Sequence, residues 1–202
     1  MRTNPISFYS YSKPAPKKQK LSFLGGYKDV RGDYERNMFE RHLDRLIRDL
    51  KDSPFYIPKK VIVKGKPANL TICKNGTYIL KSEDEDIKAV MSLASTKKPL
   101  IDCDNEFYSK GNGAGRFLIK EAVKKSVEMG FGGRVTVFAS NINEHAGNPI
   151  PFYEKMGFKA FSNNLQAIIE RNMNNFDQQG FYPMPAHANM YLDEKRIKDY
   201  LD

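Results

Sequence analysis

Lys110-Gly111-Asn112-Gly113-Ala114-Gly115-Arg116 sets alternate glycines between two cations, and a helical apolar pattern follows at Leu118, Ile119, Ala122, Val123 and Val127. The first turn of a helix carries N–H groups with no partner inside the helix and a partial positive charge, so it suits a phosphate. Glycine at 111, 113 and 115 keeps side chains from blocking that backbone. Lys110 and Arg116 would add charge-assisted hydrogen bonds, and Asn112 and Ala114 complete the cradle. No Gly-Lys-Ser/Thr follows at the Walker spacing, and the glycines do not fall as Gly-x-Gly-x-x-Gly. ATP and NAD are therefore not the expected ligands.

Other reactive side chains form no recognisable cluster. Cys73 and Cys103 are too few for a disulfide framework, and His42, His145 and His187 have neither metal-ligand nor triad spacing. No metal is expected, and both thiols are read as reduced residues of strands.

The elements that must position the cradle follow from period and punctuation. Leu100-Ile101-Asp102-Cys103-Asp104 is a short strand leading into the loop, and the helix after it ends at Gly130, with Glu121 and Lys125 pairing across one turn. Arg134 to Ala139 alternates as a strand. Asn148 caps a short helix whose first residue is Pro149, running through Phe152-Tyr153-Glu154-Lys155-Met156 to Gly157. Upstream, Phe39, Leu43, Leu46, Ile47 and Leu50 predict a helix within 33–51, stopped at Asp52-Ser53-Pro54. Val61–Val63, Asn69–Cys73 and Thr77–Leu80 are strand pieces, the last two joined by an Asn75-Gly76 hairpin turn. Ile87, Val90, Met91 and Ala94 have helical spacing behind a Ser82/Glu85 capping pattern, so residues 87–94 read locally as a helix.

Together these residues resemble the GNAT superfamily of N-acetyltransferases. Lys110 to Gly115 is similar to its Arg/Gln-x-x-Gly-x-Gly/Ala pyrophosphate loop, with lysine in the first place, and Pro151-Phe152-Tyr153-Glu154-Lys155-Met156-Gly157-Phe158 is similar to its Tyr-Glu-Lys-x-Gly-Phe segment. The resemblance covers 87–158 and returns at Met190-Tyr191-Leu192 as an expected last strand. It implies a mixed, mostly antiparallel α/β sheet with flanking helices, in which two parallel strands splay to form an acetyl-CoA cleft. It also implies a strand, not a helix, at Lys88–Leu93.

On the same resemblance, the splayed strands are Leu100 to Asn105 and Arg134 to Ala139, and Cys103, Asp104 and Asn105 face the pantetheine and thioester. The family's cofactor-binding asparagine falls on Asn141, Asn143 or Asn148, of which Asn148 is assigned. Tyr153 would protonate the departing thiolate. Asp102, Asp104 and Glu106 are candidates to take the proton of the acceptor amine, Asp102 first.

At 202 residues, with 40% hydrophobic and 28% charged residues, the chain is the size of one domain and too polar for a membrane protein. It has no run long enough to span a bilayer and no signal-peptide pattern, so a cytoplasmic location is expected. Much of the +9 net charge lies between Met1 and Lys28, where Arg2, Lys13, Lys17, Lys18, Lys20 and Lys28 meet no acid. Residues 1–28 are read as a flexible basic arm and 29–202 as the acetyltransferase domain. The expected partners are acetyl-CoA and an amine of a small molecule or protein. Alternative readings are a CoA-binding or nucleic-acid-associated module without catalysis and an acetyltransferase acting on charged tRNA, with the arm touching nucleic acid. An exposed last strand would offer a homodimer edge.

Overall fold

In the computed structural model, residues 41, 44–45, 48, 58–74, 76–94, 99–101, 107–110, 113–140, 148–179 and 184–202 are described. The sheet begins as hairpins. Lys64 and Gly65 both take positive φ, 46° and 82°, the twist-matched two-residue turn that folds β1 (Lys59–Val63) onto β2 (Lys66–Ile72). Gly76, at φ 85°, turns β2 into β3 (Thr77–Lys81), as the Asn75-Gly76 pair predicts. Residues 1–28 and most of the predicted 33–51 helix lie outside the described residues, but Arg41, Asp44, Arg45 and Arg48 are helical.

Residues Lys88–Ala94 form β4, so the strand implied by the resemblance prevails over the local helical pattern. Ser82 caps no helix. Its Oγ accepts from the Ile87 N–H at 3.0 Å, and its N–H donates to the Ile87 carbonyl at 2.9 Å, which closes the β3–β4 turn. The helical spacing misleads because β4 is buried on both faces, and a strand of that kind loses its alternation.

Burial of Lys88, 2% exposed, requires a counter-charge. Glu85 Oε2 lies 2.9 Å from its Nζ and Asp44 Oδ1 3.6 Å, while Lys81 reaches Glu85 Oε1 at 3.0 Å. Hydrogen bonds from Lys88 and then Lys81 hold the Glu85 carboxyl far down, at about 2 against an ordinary 4.5. A depressed carboxyl stabilises the fold fully above its ordinary value and loses that contribution as pH falls toward the folded one. Urea unfolding of wild type and Glu85→Gln should therefore show a constant stability gap above about pH 5 that closes by about pH 2.

Past β4 the sheet changes character. β5 (Leu100–Ile101) pairs antiparallel with β4 through Leu93↔Ile101, and β6 (Tyr108–Lys110) pairs with the same strand through Val90↔Tyr108. Two residues of β4, Met91 and Ser92, thus span the ladder against six residues of the sequence, 102–107. Of the predicted strand 100–104, Leu100 and Ile101 are strand and 102–104 lie outside the described residues, and β6 was not anticipated. On its other side β5 pairs parallel with β7 (Thr136–Ser140) at Leu100↔Thr136 and Ile101↔Val137. Among the described residues, β6 has no ladder with β7.

Helix α1 (Ala114–Glu128) connects β6 to β7, with Leu118, Ile119, Ala122 and Val123 in the core. It ends in a glycine motif. Gly130, at φ 79°, donates to the Val127 carbonyl, and Phe131 N–H donates to that of Ser126. Two expectations fail here. Val127 is 45% exposed, and Ser126 takes the buried place, its hydroxyl donating to the Arg134 carbonyl at 2.6 Å. Glu121 pairs with Lys124 at 2.7 Å, and Lys125 with Glu128 at 3.0 Å, one residue short of the expected spacing in each case.

Helix α2 (Ile150–Lys155) leads into β8 (Phe158–Ala160), then α3 (Asn163–Gln179), β9 (His187–Leu192) and α4 (Glu194–Leu201). The sheet order is β1-β2-β3-β4-β5-β7-β9-β8, with β6 also on β4. Met190-Tyr191-Leu192 is the last strand, as expected. It is not an edge, because β9 is paired with β7 and with β8, so the homodimer edge anticipated there is occupied. The result is a mixed α/β architecture whose antiparallel strands carry flanking helices. No helix among the described residues is long and apolar enough to cross a membrane.

Candidate active site

Gly113 stands at the N-terminal boundary of α1 with φ 89° and no side-chain cap. The first helical bond runs from Phe117 N–H to its carbonyl at 2.9 Å. The N–H groups of Ala114, Gly115 and Arg116 are therefore the ones a helix start leaves without an internal acceptor, and no acid stands in the first turn. Lys110 closes β6 directly before the loop, while Gly111 and Asn112 lie outside the described residues.

The described glycines have reasons beyond bare backbone. A Cβ on Gly113 would stand 2.9 Å from Lys64 Cγ, so the stem of a lysine in the β1–β2 turn lies across the cap. A Cβ on Gly115 would stand 2.7 Å from Phe152 Cζ and 2.9 Å from Ser109 Oγ. The expected role of Gly115, clearing the way for an anion, is thus joined by helix–helix contact. Arg116 is also engaged differently. Its guanidinium lies 4.8 Å from the Tyr200 ring centroid and donates to the Asp199 carbonyl at 3.3 Å, tying α1 to α4.

Phe152 brings the second motif to the first. Beside it Tyr153 is 2% exposed, with ring centroids 5.2 Å from Phe152, 5.8 Å from Phe107 and 5.3 Å from Phe158. Phe107, just before β6, also stands 5.6 Å from Phe152, so the aromatic cluster joins the start of β6 to α2. Burial raises the carboxyl of the neighbouring Glu154, with Gln166 hydrogen bonding opposing it. Asn148 uses both ends of its amide. Oδ1 accepts from Ile150 N–H at 2.9 Å, a capping bond made one residue ahead of the N-cap, because Pro149 and not Asn148 stands at the boundary of α2, and Nδ2 donates to the Pro185 carbonyl at 2.7 Å. Asn148→Ala should cost about 1–2 kcal/mol in urea unfolding, because it uncaps α2 and releases the segment before β9.

Asp102, Cys103, Asp104, Asn105 and Glu106 lie outside the described residues, as do Asn141 and Asn143. Cys73 is a half-buried free thiol just beyond β2, and burial raises its pKa. No group of three metal-ligating side chains occurs among the described residues. Phe107, Ser109 and Lys64 reach the site without having been singled out in the sequence. For Phe107 the available signal was its aromatic place just upstream of the cradle; for Lys64 there was none, since it comes from a distant turn. Comparison with protein-family models, curated proteins and solved structures gives no match for this chain.

Proposed function

We propose that the protein is an N-acetyltransferase of the GNAT kind, moving the acetyl group of acetyl-CoA to an amine by direct attack. The observation that carries this reading is the seating of Phe152 in the space beside Gly115. It joins the glycine loop and the tyrosine segment, distant in sequence, at one helix start. A second support is the parallel pairing of β5 with β7 at Leu100↔Thr136 and Ile101↔Val137, the two neighbouring parallel strands that this reading requires.

In this reading the N–H groups of Ala114, Gly115 and Arg116, with Gly111, Asn112 and Lys110, hold the pyrophosphate, and Gly113 lets the chain turn onto it. Backbone groups at 103–105 bind the pantetheine and polarise the thioester carbonyl. Tyr153 gives its phenolic proton to the leaving thiolate. The neutral amine forms the new C–N bond as the C–S bond breaks, and a base on the acceptor side takes the amine proton.

Calorimetry with acetyl-CoA tests the donor directly; saturable binding supports the reading and its absence overturns it. Release of free thiol, monitored across a panel of small amines and peptides, then identifies the acceptor. Binding without thiol release for any amine would favour a CoA-binding module instead.

A further inference from the structure

We infer that Tyr200 is a positioning residue of the proposed acetyl-transfer site, its ring setting the phosphate cradle and its hydroxyl setting Tyr153; the inference rests on the acetyl-CoA reading above. Local signals start the helix that carries it. Asp193 Oδ1 accepts from Lys195 N–H at 3.0 Å and caps α4, in which Ile197 and Tyr200, three residues apart, share a face. The helix lies close where glycines leave room. A Cβ on Gly133 would stand 2.5 Å from Ile197 Cγ2, and one on Gly157 would stand 2.9 Å from Arg196 Cγ. Asp193 N–H also donates to the Gly157 carbonyl at 3.0 Å. Tyr200 is thereby carried into the core, 1% exposed.

The two ends of this side chain meet two different motifs. Its ring lies under the Arg116 guanidinium, which also donates to the Asp199 carbonyl, one of the carbonyls that a helix end leaves without an internal donor. Arg116 belongs to the first turn of α1, whose N–H groups are assigned to the pyrophosphate. The hydroxyl donates to the Met156 carbonyl at 2.5 Å, at the C-terminal boundary of α2. Met156 N–H in turn donates to the Phe152 and Tyr153 carbonyls, at 3.0 Å each. A single peptide unit therefore separates the Tyr200 hydroxyl from the Tyr153 backbone. Burial raises the Tyr200 phenol above its ordinary value, which keeps it a proton donor in that bond.

Phe152 alone does not fix α2 against the cradle. One contact, beside Gly115, leaves a short helix free to pivot about it, and the Tyr200 hydroxyl supplies a second point of attachment at the other end of α2. Two points set both the place and the tilt of Tyr153 relative to the first turn of α1. Proton transfer to a leaving thiolate depends on that placement, since a misplacement of about 1 Å can cost about 100-fold in rate. Tyr200 touches neither the donor nor the acceptor in this arrangement and acts through Arg116 and Met156.

Three variants of the full chain test this below their melting midpoints, with the acetyl-CoA Kd read by calorimetry and turnover by thiol release to the best amine of the screen. Tyr200→Phe keeps the ring and deletes the hydroxyl, so kcat should fall about tenfold with Kd within twofold of wild type. Tyr200→Leu also removes the face that holds Arg116, and Kd should weaken about tenfold in addition. Ile197→Ala loosens α4 without touching Arg116 or Met156; it should melt lower and keep the wild-type Kd and kcat. Tyr200→Phe decides the question if Tyr200→Leu fails to fold. A Tyr200→Phe protein with wild-type kcat, or with Kd and kcat weakened alike, overturns the proposal, as does an unchanged Kd in a folded Tyr200→Leu. A wild type that fails to bind acetyl-CoA, or binds it and releases thiol to no amine, removes the reading beneath, and the proposal falls with it.

Discussion

Gly115→Ala should destabilise the fold by about 1–2 kcal/mol, even though alanine is the better helix former by about 1 kcal/mol. The new methyl would meet Phe152 Cζ at 2.7 Å, Phe152 Cε2 at 3.0 Å and Ser109 Oγ at 2.9 Å. Those atoms belong to two different elements, α2 and β6, so relief requires α1 to move from one of them. At this chain length the melting midpoint should fall by about 2–8 °C. Acetyl-CoA binding should weaken as well, because the same movement displaces the N–H groups of the first turn. Phe152→Leu in the Gly115→Ala background should recover part of the loss, giving a non-additive double-mutant cycle in urea unfolding. A Gly115→Ala protein as stable as wild type would show that the contact relaxes freely and would remove the main support for joining the two motifs.

The largest functional effect is expected from Tyr153→Phe. The substitution keeps a six-membered ring among Phe107, Phe152 and Phe158 and deletes only the hydroxyl. If the phenol protonates the departing thiolate, kcat should fall by about 100-fold with little change in KM for acetyl-CoA. Measurement is by thiol release against the best amine from the screen, with the acetyl-CoA Kd by calorimetry as control. A kcat within twofold of wild type would leave Tyr153 as a packing residue of the aromatic cluster and remove it from the mechanism.

The elements legible in the sequence are those whose signals are local. The Asn75-Gly76 hairpin, the apolar face of α1, its end at Gly130 and the cap at Asn148 are each set by a few neighbouring residues, through positive φ, periodicity or a side chain bonding to nearby backbone. A local signal misleads where it competes with burial. Residues 87–94 carry a helical pattern yet form β4, and Val127 continues the apolar spacing of α1 but turns outward while Ser126 goes in. β8, α3 and α4 were not expected, although Leu165, Ile169 and Met173 of α3 recur at a helical period and pack on the core.

By itself, then, the sequence determined that glycines precede a helix start, that a tyrosine segment follows one strand later, and where several turns fall. All of these depend on contacts spanning only a few residues. Tertiary structure alone decided that Phe152 lies beside Gly115, that Lys64 crosses Gly113, and that Arg116 serves Tyr200 and Asp199. Those relations come from strand order and register, which bring together residues far apart in the chain by burying a shared core, and no local pattern encodes them.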